Sequence, residues 1–203
     1  MKRVNGAGLT LSSDEQSLLL RFARRRLEVA LAEEDGIEVE HAEIPPALMR
    51  KAACFVTLTK DKGLRGCMLD SFIPHEPLYK NAMRNIVLAA TNDPRFPPVV
   101  SAELSAVWIE ISVLDPPKPL SYDGPDELLS KLVPGRDGVI LTTRYGRSTY
   151  LPHVWDAFPD APAFLSSLCV KQGAPADCWR DDRSIKVEIY RVFHFGEEAD
   201  HDR

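Results

Sequence analysis

Residues 107–114 read Val-Trp-Ile-Glu-Ile-Ser-Val-Leu, with Val107, Ile109, Ile111 and Val113 on one face of a strand and Trp108, Glu110, Ser112 and Leu114 on the other. A β-branched face of this length requires a sheet with at least one buried side, so an all-helical chain is excluded. Pro116-Pro117 and Pro119 end the strand. Further strands are expected over 53–59 and 64–69, joined by the turn Lys60-Asp61-Lys62-Gly63, and over 139–143 and 148–151, joined by Arg144-Tyr145-Gly146-Arg147. A last strand is expected over 184–195. These strands form hairpins and do not alternate with helices, so a doubly wound parallel sheet is excluded. The expected class is α+β, a mostly antiparallel or mixed sheet with flanking helices.

An N-terminal helix is expected from the capping-box spacing of Ser13 and Gln16 and from an apolar stripe of Leu18, Leu19, Phe22, Ala23, Leu27, Ala30 and Leu31, with Gly36 closing it. Arg24-Arg25-Arg26 reads as a solvated helix face, with Glu28 one turn from Arg24. Residues 37–50, with Pro45-Pro46, read as a surface connector. A helix over 77–91 starts at Pro77 and stops before Asp93-Pro94. Shorter helices are expected over 126–132 and 162–172, the latter closed by Gly173. At 203 residues the chain suits one domain over 1–195, followed by a charged tail, 196–203.

Composition excludes several functions. With Lys+Arg 25 against Asp+Glu 30 the net charge is −5, and no basic patch stands out. Nucleic-acid binding through counterion release is therefore not expected. No run reaches the roughly 20 apolar residues of a membrane span, and the start, MKRVNGAGLT, has no secretory signal. The widely spaced Cys54, Cys67, Cys169 and Cys178 include no C-x-x-C, so reduced thiols in a cytoplasmic protein are expected.

Signatures of phosphate loops, dinucleotide folds, zincins and serine hydrolases are missing, and no cofactor is implied. His153 and Asp156 supply two potential ligands, which do not make a metal site, so none is expected. The segment that asks for explanation is Gly63-Leu64-Arg65-Gly66-Cys67-Met68. A glycine inside a strand signals a bulge or a close backbone approach. Arg65 beside Cys67 admits two readings. One is a thiol activated by a cation; the other is a packed cysteine with an arginine tying loops together. Arg65 and Cys67 are expected to project from one face of the return strand, and His153 to stand at a strand end. The expected site gathers Cys67, Arg65 and His153 as catalytic residues, with Lys171 for substrate.

The ordered landmarks Leu64-Arg65-Gly66-Cys67, Asp93-Pro94-Arg95-Phe96-Pro97-Pro98 and Ile109-Glu110-Ile111-Ser112-Val113-Leu114 resemble those of the AMMECR-type domain, in bacteria the AmmeMemoRadiSam system protein A family. Pro134-Gly135-Arg136-Asp137-Gly138, Thr149-Tyr150-Leu151-Pro152-His153-Val154-Trp155, Phe164-Leu165 and Lys171-Gln172-Gly173-Ala174-Pro175 continue the resemblance in order, over 13–195. It implies an α+β domain with a larger and a smaller lobe, a cleft between them, and the Leu-Arg-Gly-Cys segment near that cleft. It also implies a Memo-type protein and a radical SAM protein as partners. Two functions stay open: a substrate-handling or catalytic subunit using Cys67, and a non-catalytic module whose cleft binds a partner segment. The chain departs from the family pattern at Met68-Leu69-Asp70, where Ile-Gly usually follows the cysteine. It departs again at His153, where Gln or Ser is usual, and at Cys178, where His is common.

Overall fold

The computed structural model describes residues 10–32, 44–181 and 185–197. They form two compact units divided at 116/117 and 192/193. The first contains α1 (Ser13–Leu31), α2 (Pro46–Met49), β1 (Ala53–Lys60), β2 (Gly63–Met68), α3 (Leu78–Thr91), β3 (Val107–Leu114) and β8 (Val192–Gly196), which begins at its boundary. The second contains β4 (Lys118–Pro119), α4 (Pro125–Lys131), β5 (Gly138–Thr143), β6 (Gly146–Tyr150), α5 (Ala161–Lys171), α6 (Cys178–Asp181) and β7 (Lys186–Tyr190). The class is α+β, with sheet orders β2-β1-β3-β8 and β4-β7-β5-β6. The β1–β2, β1–β3, β4–β7, β5–β6 and β5–β7 pairs are antiparallel.

In the first unit, alternation decides which sheet face is covered. Cys54, Val56 and Leu58 of β1 and Val107, Ile109, Ile111 and Val113 of β3 are buried against Leu19, Ala23 and Leu27 of α1 and Leu78, Ala82, Ile86 and Ala89 of α3. Phe55, Thr57 and Thr59 alternate with them and are half-buried. The β1–β2 turn closes through Asp61 and Lys62, both at positive φ, as a tight hairpin demands. Buried polar groups on α3 are satisfied by the sheet. Asn81 Oδ1 accepts the Cys54 amide at 2.9 Å, and Asn85 Nδ2 donates to the Cys54 carbonyl at 2.8 Å.

Four expectations need correction in this unit, and the closure at Gly36 lies outside the described residues. The capping box uses Ser12 and Glu15, one residue earlier than the spacing of Ser13 and Gln16 suggested, and Gln16 Nε2 instead donates to the Leu11 carbonyl. α1 ends at Leu31. The connector contains α2, whose Leu48 is buried; residues 37–43 of it are not described. Arg24 is not a solvated residue, because it forms a bidentate pair with Glu197 and donates to the carbonyls of Leu104 and Val107. Glu197 also accepts the Ile109 amide, so the first two residues beyond 195 take part in the fold. Residues 198–203 are not described.

The expected last strand is two strands, β7 and β8, separated at Arg191 and placed in different sheets. Alternation slips at the crossing, from Val187 and Ile189 to Tyr190 and Val192 and back to Phe193 and Phe195, with Arg191 at the break. In the second unit, Trp155 stacks on Phe164 with centroids 3.6 Å apart, within a core of Leu128, Val139, Leu141, Leu165 and Leu168. Gly138 is required by close approach: a Cβ there would lie 2.5 Å from the Tyr190 ring.

Reduced thiols throughout are also not what forms, since Cys169 and Cys178 are joined in a disulfide while Cys54 and Cys67 are free. Gly173, at φ +77, turns the chain after α5, and the Ala174 amide returns to the Cys169 carbonyl at 3.0 Å. That turn sets the two cysteines side by side. Spacing without C-x-x-C said nothing about it.

Candidate functional site

β2 is the edge strand of its sheet, and an edge leaves backbone groups to be satisfied by something other than a neighbour. Register in β1–β2 shifts between Leu58, opposite Gly66, and Thr59, opposite Leu64, so Arg65 is the extra residue of a bulge. Gly66 sits against α3, where a Cβ would lie 2.1 Å from the Ala89 carbonyl oxygen. Bulge and close approach, the two explanations for a glycine inside this strand, are both present.

The free edge is held by the segment that begins Asp93-Pro94-Arg95. Asp93 Oδ2 accepts the Cys67 amide at 2.8 Å, and Arg95 Nη2 donates to the Cys67 carbonyl at 3.4 Å. Arg95 is bound in turn to Asp93, Nε to Oδ1 at 2.9 Å and Nη2 to Oδ2 at 2.6 Å. Arg65 reaches the other way. Its guanidinium forms a two-point pair with Glu103, Nε to Oε1 at 3.0 Å and Nη2 to Oε2 at 2.9 Å, and donates to the carbonyls of Pro97 and Pro98 at 2.9 and 3.3 Å. Lys60 Nζ shares the Glu103 carboxylate at 3.0 Å. The two sequence motifs are thus one reciprocal clamp across β2.

Electrostatics follow from this geometry. The Arg95 guanidinium, helped by the Cys67 and Arg95 amides, outweighs burial and holds the Asp93 carboxyl down at about 2. Arg65 first, then Lys60, brings Glu103 to about 2. Cys67 moves in the opposite direction: burial pushes its thiol up, and the Thr57 hydroxyl, donating to Sγ at 3.3 Å, and the Arg95 charge only partly offset that. Cys67 pairs across the sheet with Thr57, and Thr57 with Glu110, whose charge also disfavours the thiolate. The arrangement stores a protonated thiol.

Arg65 and Cys67 share β2, whereas His153 and Lys171 belong to the second unit. His153 is exposed on a 3₁₀ turn, Pro152–Ala157, which is anchored by buried Trp155 donating Nε1 to the Asp137 carbonyl at 2.7 Å. Lys171, at the end of α5, donates to the Thr149 carbonyl at 3.0 Å and lies 4.5 Å from the Tyr150 ring centroid. Thr57, Asp93, Arg95 and Glu103 complete the clamp and were not singled out as site residues. The signal for Asp93 and Arg95 was a charged pair two residues apart in a proline-rigid segment.

Among the described residues, Asp70, His75 and Glu76 form one group able to offer ligand atoms within 4.8 Å of one another. His75 Nε2 lies 3.4 Å from Asp70 and 3.7 Å from Glu76. Arg84 Nη2 is 2.8 Å from Glu76, and Asn81 Nδ2 donates to Asp70 and Glu76, so a divalent cation there would compete with a guanidinium already in place. A surface groove of about 780 Å³ runs along α1, lined by Arg21, Arg24 and Glu197 among others, and contains none of the four residues selected from sequence. No helix of the described residues is long and apolar enough to cross a membrane.

The fold and the clamp define a two-sheet α+β protein whose Leu-Arg-Gly-Cys edge strand is locked by an Asp-Pro-Arg segment. The AMMECR1 family model matches residues 20–195, and the chain belongs to that family. It is 39% identical over 192 residues to a protein of Thermofilum pendens, covering 89% of this chain and 88% of that one. It is 36% identical over 184 residues to Protein MJ0810 of Methanocaldococcus jannaschii, at 89% and 88% coverage. The crystal structure of uncharacterized protein PH0010 from Pyrococcus horikoshii is similar at a TM-score of 0.84 and 34% identity, over 93% of this chain and 94% of that one.

Proposed function

We propose that this protein is a non-catalytic binding subunit of an AmmeMemoRadiSam-like modification system in the cytoplasm, working with a Memo-type protein and a radical SAM protein. The observation that carries this reading is the commitment of Arg65 to Glu103 and to two proline carbonyls. A guanidinium used this way is not available to orient a substrate anion, and the thiol beside it is biased toward its unreactive form. In this reading Arg65 and Cys67 are positioning residues that keep an edge strand in register. His153 and Lys171 shape a binding surface and carry no proton-transfer role. Family membership supports the choice of partners, and the resemblance in motif order supports the system.

The test combines the purified chain with the Memo-type and radical SAM proteins of its own organism. Co-elution of the three in size-exclusion chromatography is expected, with Cys67→Ser and His153→Ala variants retaining both co-elution and the activity of the assembled system. A folded Cys67→Ser protein that co-elutes while all activity is lost would establish catalysis by the thiol and overturn this reading. Absence of any complex would overturn the choice of partners.

A further inference from the structure

We infer that Cys169 and Cys178 form a reversible redox lock on the turn between α5 and α6. Cys169 lies in the last turn of α5 and is fully buried; Cys178 opens α6 and is 7% exposed. Their Cα atoms are 6.2 Å apart, within the range a disulfide spans. α6 has four residues, too few to hold a helical turn in place by backbone hydrogen bonds alone. Besides the disulfide, its attachment is buried Trp179, whose Nε1 donates to Ser166 Oγ of α5 at 3.1 Å, and the Cys178 amide, bound to the Pro175 carbonyl at 3.0 Å. Breaking the covalent link leaves a docked indole and a short helix. The unit keeps its core while residues 172–180 open more often.

The chemistry needs a dithiol reductant. One of its thiolates attacks Sγ of Cys178, the less buried of the two residues, and the Cys169 sulfur leaves as a thiolate that takes up a proton. The second thiolate of the reductant attacks the mixed disulfide and releases Cys178, which is protonated in turn. The protein gains two electrons and two protons, and the reductant ends as a disulfide. Oxidation by glutathione disulfide reverses the sequence, yielding two molecules of glutathione. Both steps proceed from locally opened molecules, because neither sulfur is freely exposed. In the cytoplasm assigned under the proposed function, on which this role rests, a thiol buffer keeps proteins reduced, and a pair of this kind is transient and acts as a sensor.

The experiment uses the full chain equilibrated with glutathione disulfide or with dithiothreitol. Alkylation after denaturation is expected to label two cysteines, Cys54 and Cys67, in the oxidised form and four in the reduced form. Amide exchange over 172–180 is expected to run about a hundredfold faster in the reduced form, the magnitude for closing a loop of about ten residues, with β5 and β6 unchanged. Cys178→Ser should label three cysteines, Cys54, Cys67 and Cys169, and show the fast exchange of the reduced form under both conditions; if it fails to fold, the reduced wild-type protein alkylated at Cys178 takes its place. Four labelled cysteines after oxidation, equal exchange in both forms, or loss of protection throughout the second unit on reduction would each overturn the proposal.

Discussion

The side chain of Asp93 accepts the backbone amide of Cys67 at 2.8 Å across 26 residues of sequence and so joins the two most distinctive motifs of the chain. The carboxylate is almost wholly enclosed and is bound on both oxygens by Arg95. Its folded pKa, about 2, lies below the ordinary aspartate value. The stability it contributes is therefore complete above the unfolded value near 4 and is lost as pH falls toward 2, amounting to about 1–2 kcal/mol after solvent screening. Urea unfolding at a series of pH values should show this slope. Asp93→Asn should remove it and cost about 2 kcal/mol near neutrality, because an amide with its oxygen at the Oδ2 position turns an uncharged NH2 toward the Arg95 Nε and N–H donors that Oδ1 now accepts.

Gly66→Ala places a methyl 2.1 Å from the Ala89 carbonyl oxygen, a contact with helix backbone that no side-chain rotation relieves. Either α3 or the edge strand must shift. A loss of about 3 kcal/mol or more is expected in thermal or urea denaturation, larger than for alanine at exposed Gly135, which has open space around it but a positive φ.

Arg65→Lys keeps the charge but not the fork. One ammonium cannot meet both Glu103 oxygens and the two proline carbonyls, so about 1–3 kcal/mol should be lost, with faster proteolysis around 95–104. Full stability in the lysine variant would show that the clamp is not what holds β2.

Much of the fold was legible because its elements carry their periodicity locally. β3 spans 107–114, as its alternation indicates, and α3 begins one residue after Pro77. Gly66 announced a bulge or a close approach through the absence of a side chain. What sequence could not supply were partners chosen by tertiary structure. Ser12 and Ser13 both satisfy a capping spacing, and the folded chain uses Ser12 with Glu15. Arg24 looked like a surface charge because Glu197 lies 173 residues away. The β7–β8 break at Arg191 shows in the sequence only as a slip of the alternation between Ile189 and Val192, and the Cys169–Cys178 link depends on the turn at Gly173. The site was half legible. Arg65 and Cys67 were visible as an unusual pair, while their roles depend on Glu103, Asp93 and Thr57, which meet them only in the folded chain.

The account turns on Cys67 being a thiol that is held and not used. Mass-spectrometric alkylation of Cys67 by iodoacetamide, followed from about pH 6 to 10 on the folded protein, reads the midpoint of thiolate formation independently of the absolute rate. The predicted result is a rate that keeps rising past the free-cysteine value of about 8.5, since burial disfavours the thiolate more than Thr57 and Arg95 favour it. A plateau reached with a midpoint below about 7.5 would mark an activated nucleophile and contradict the account.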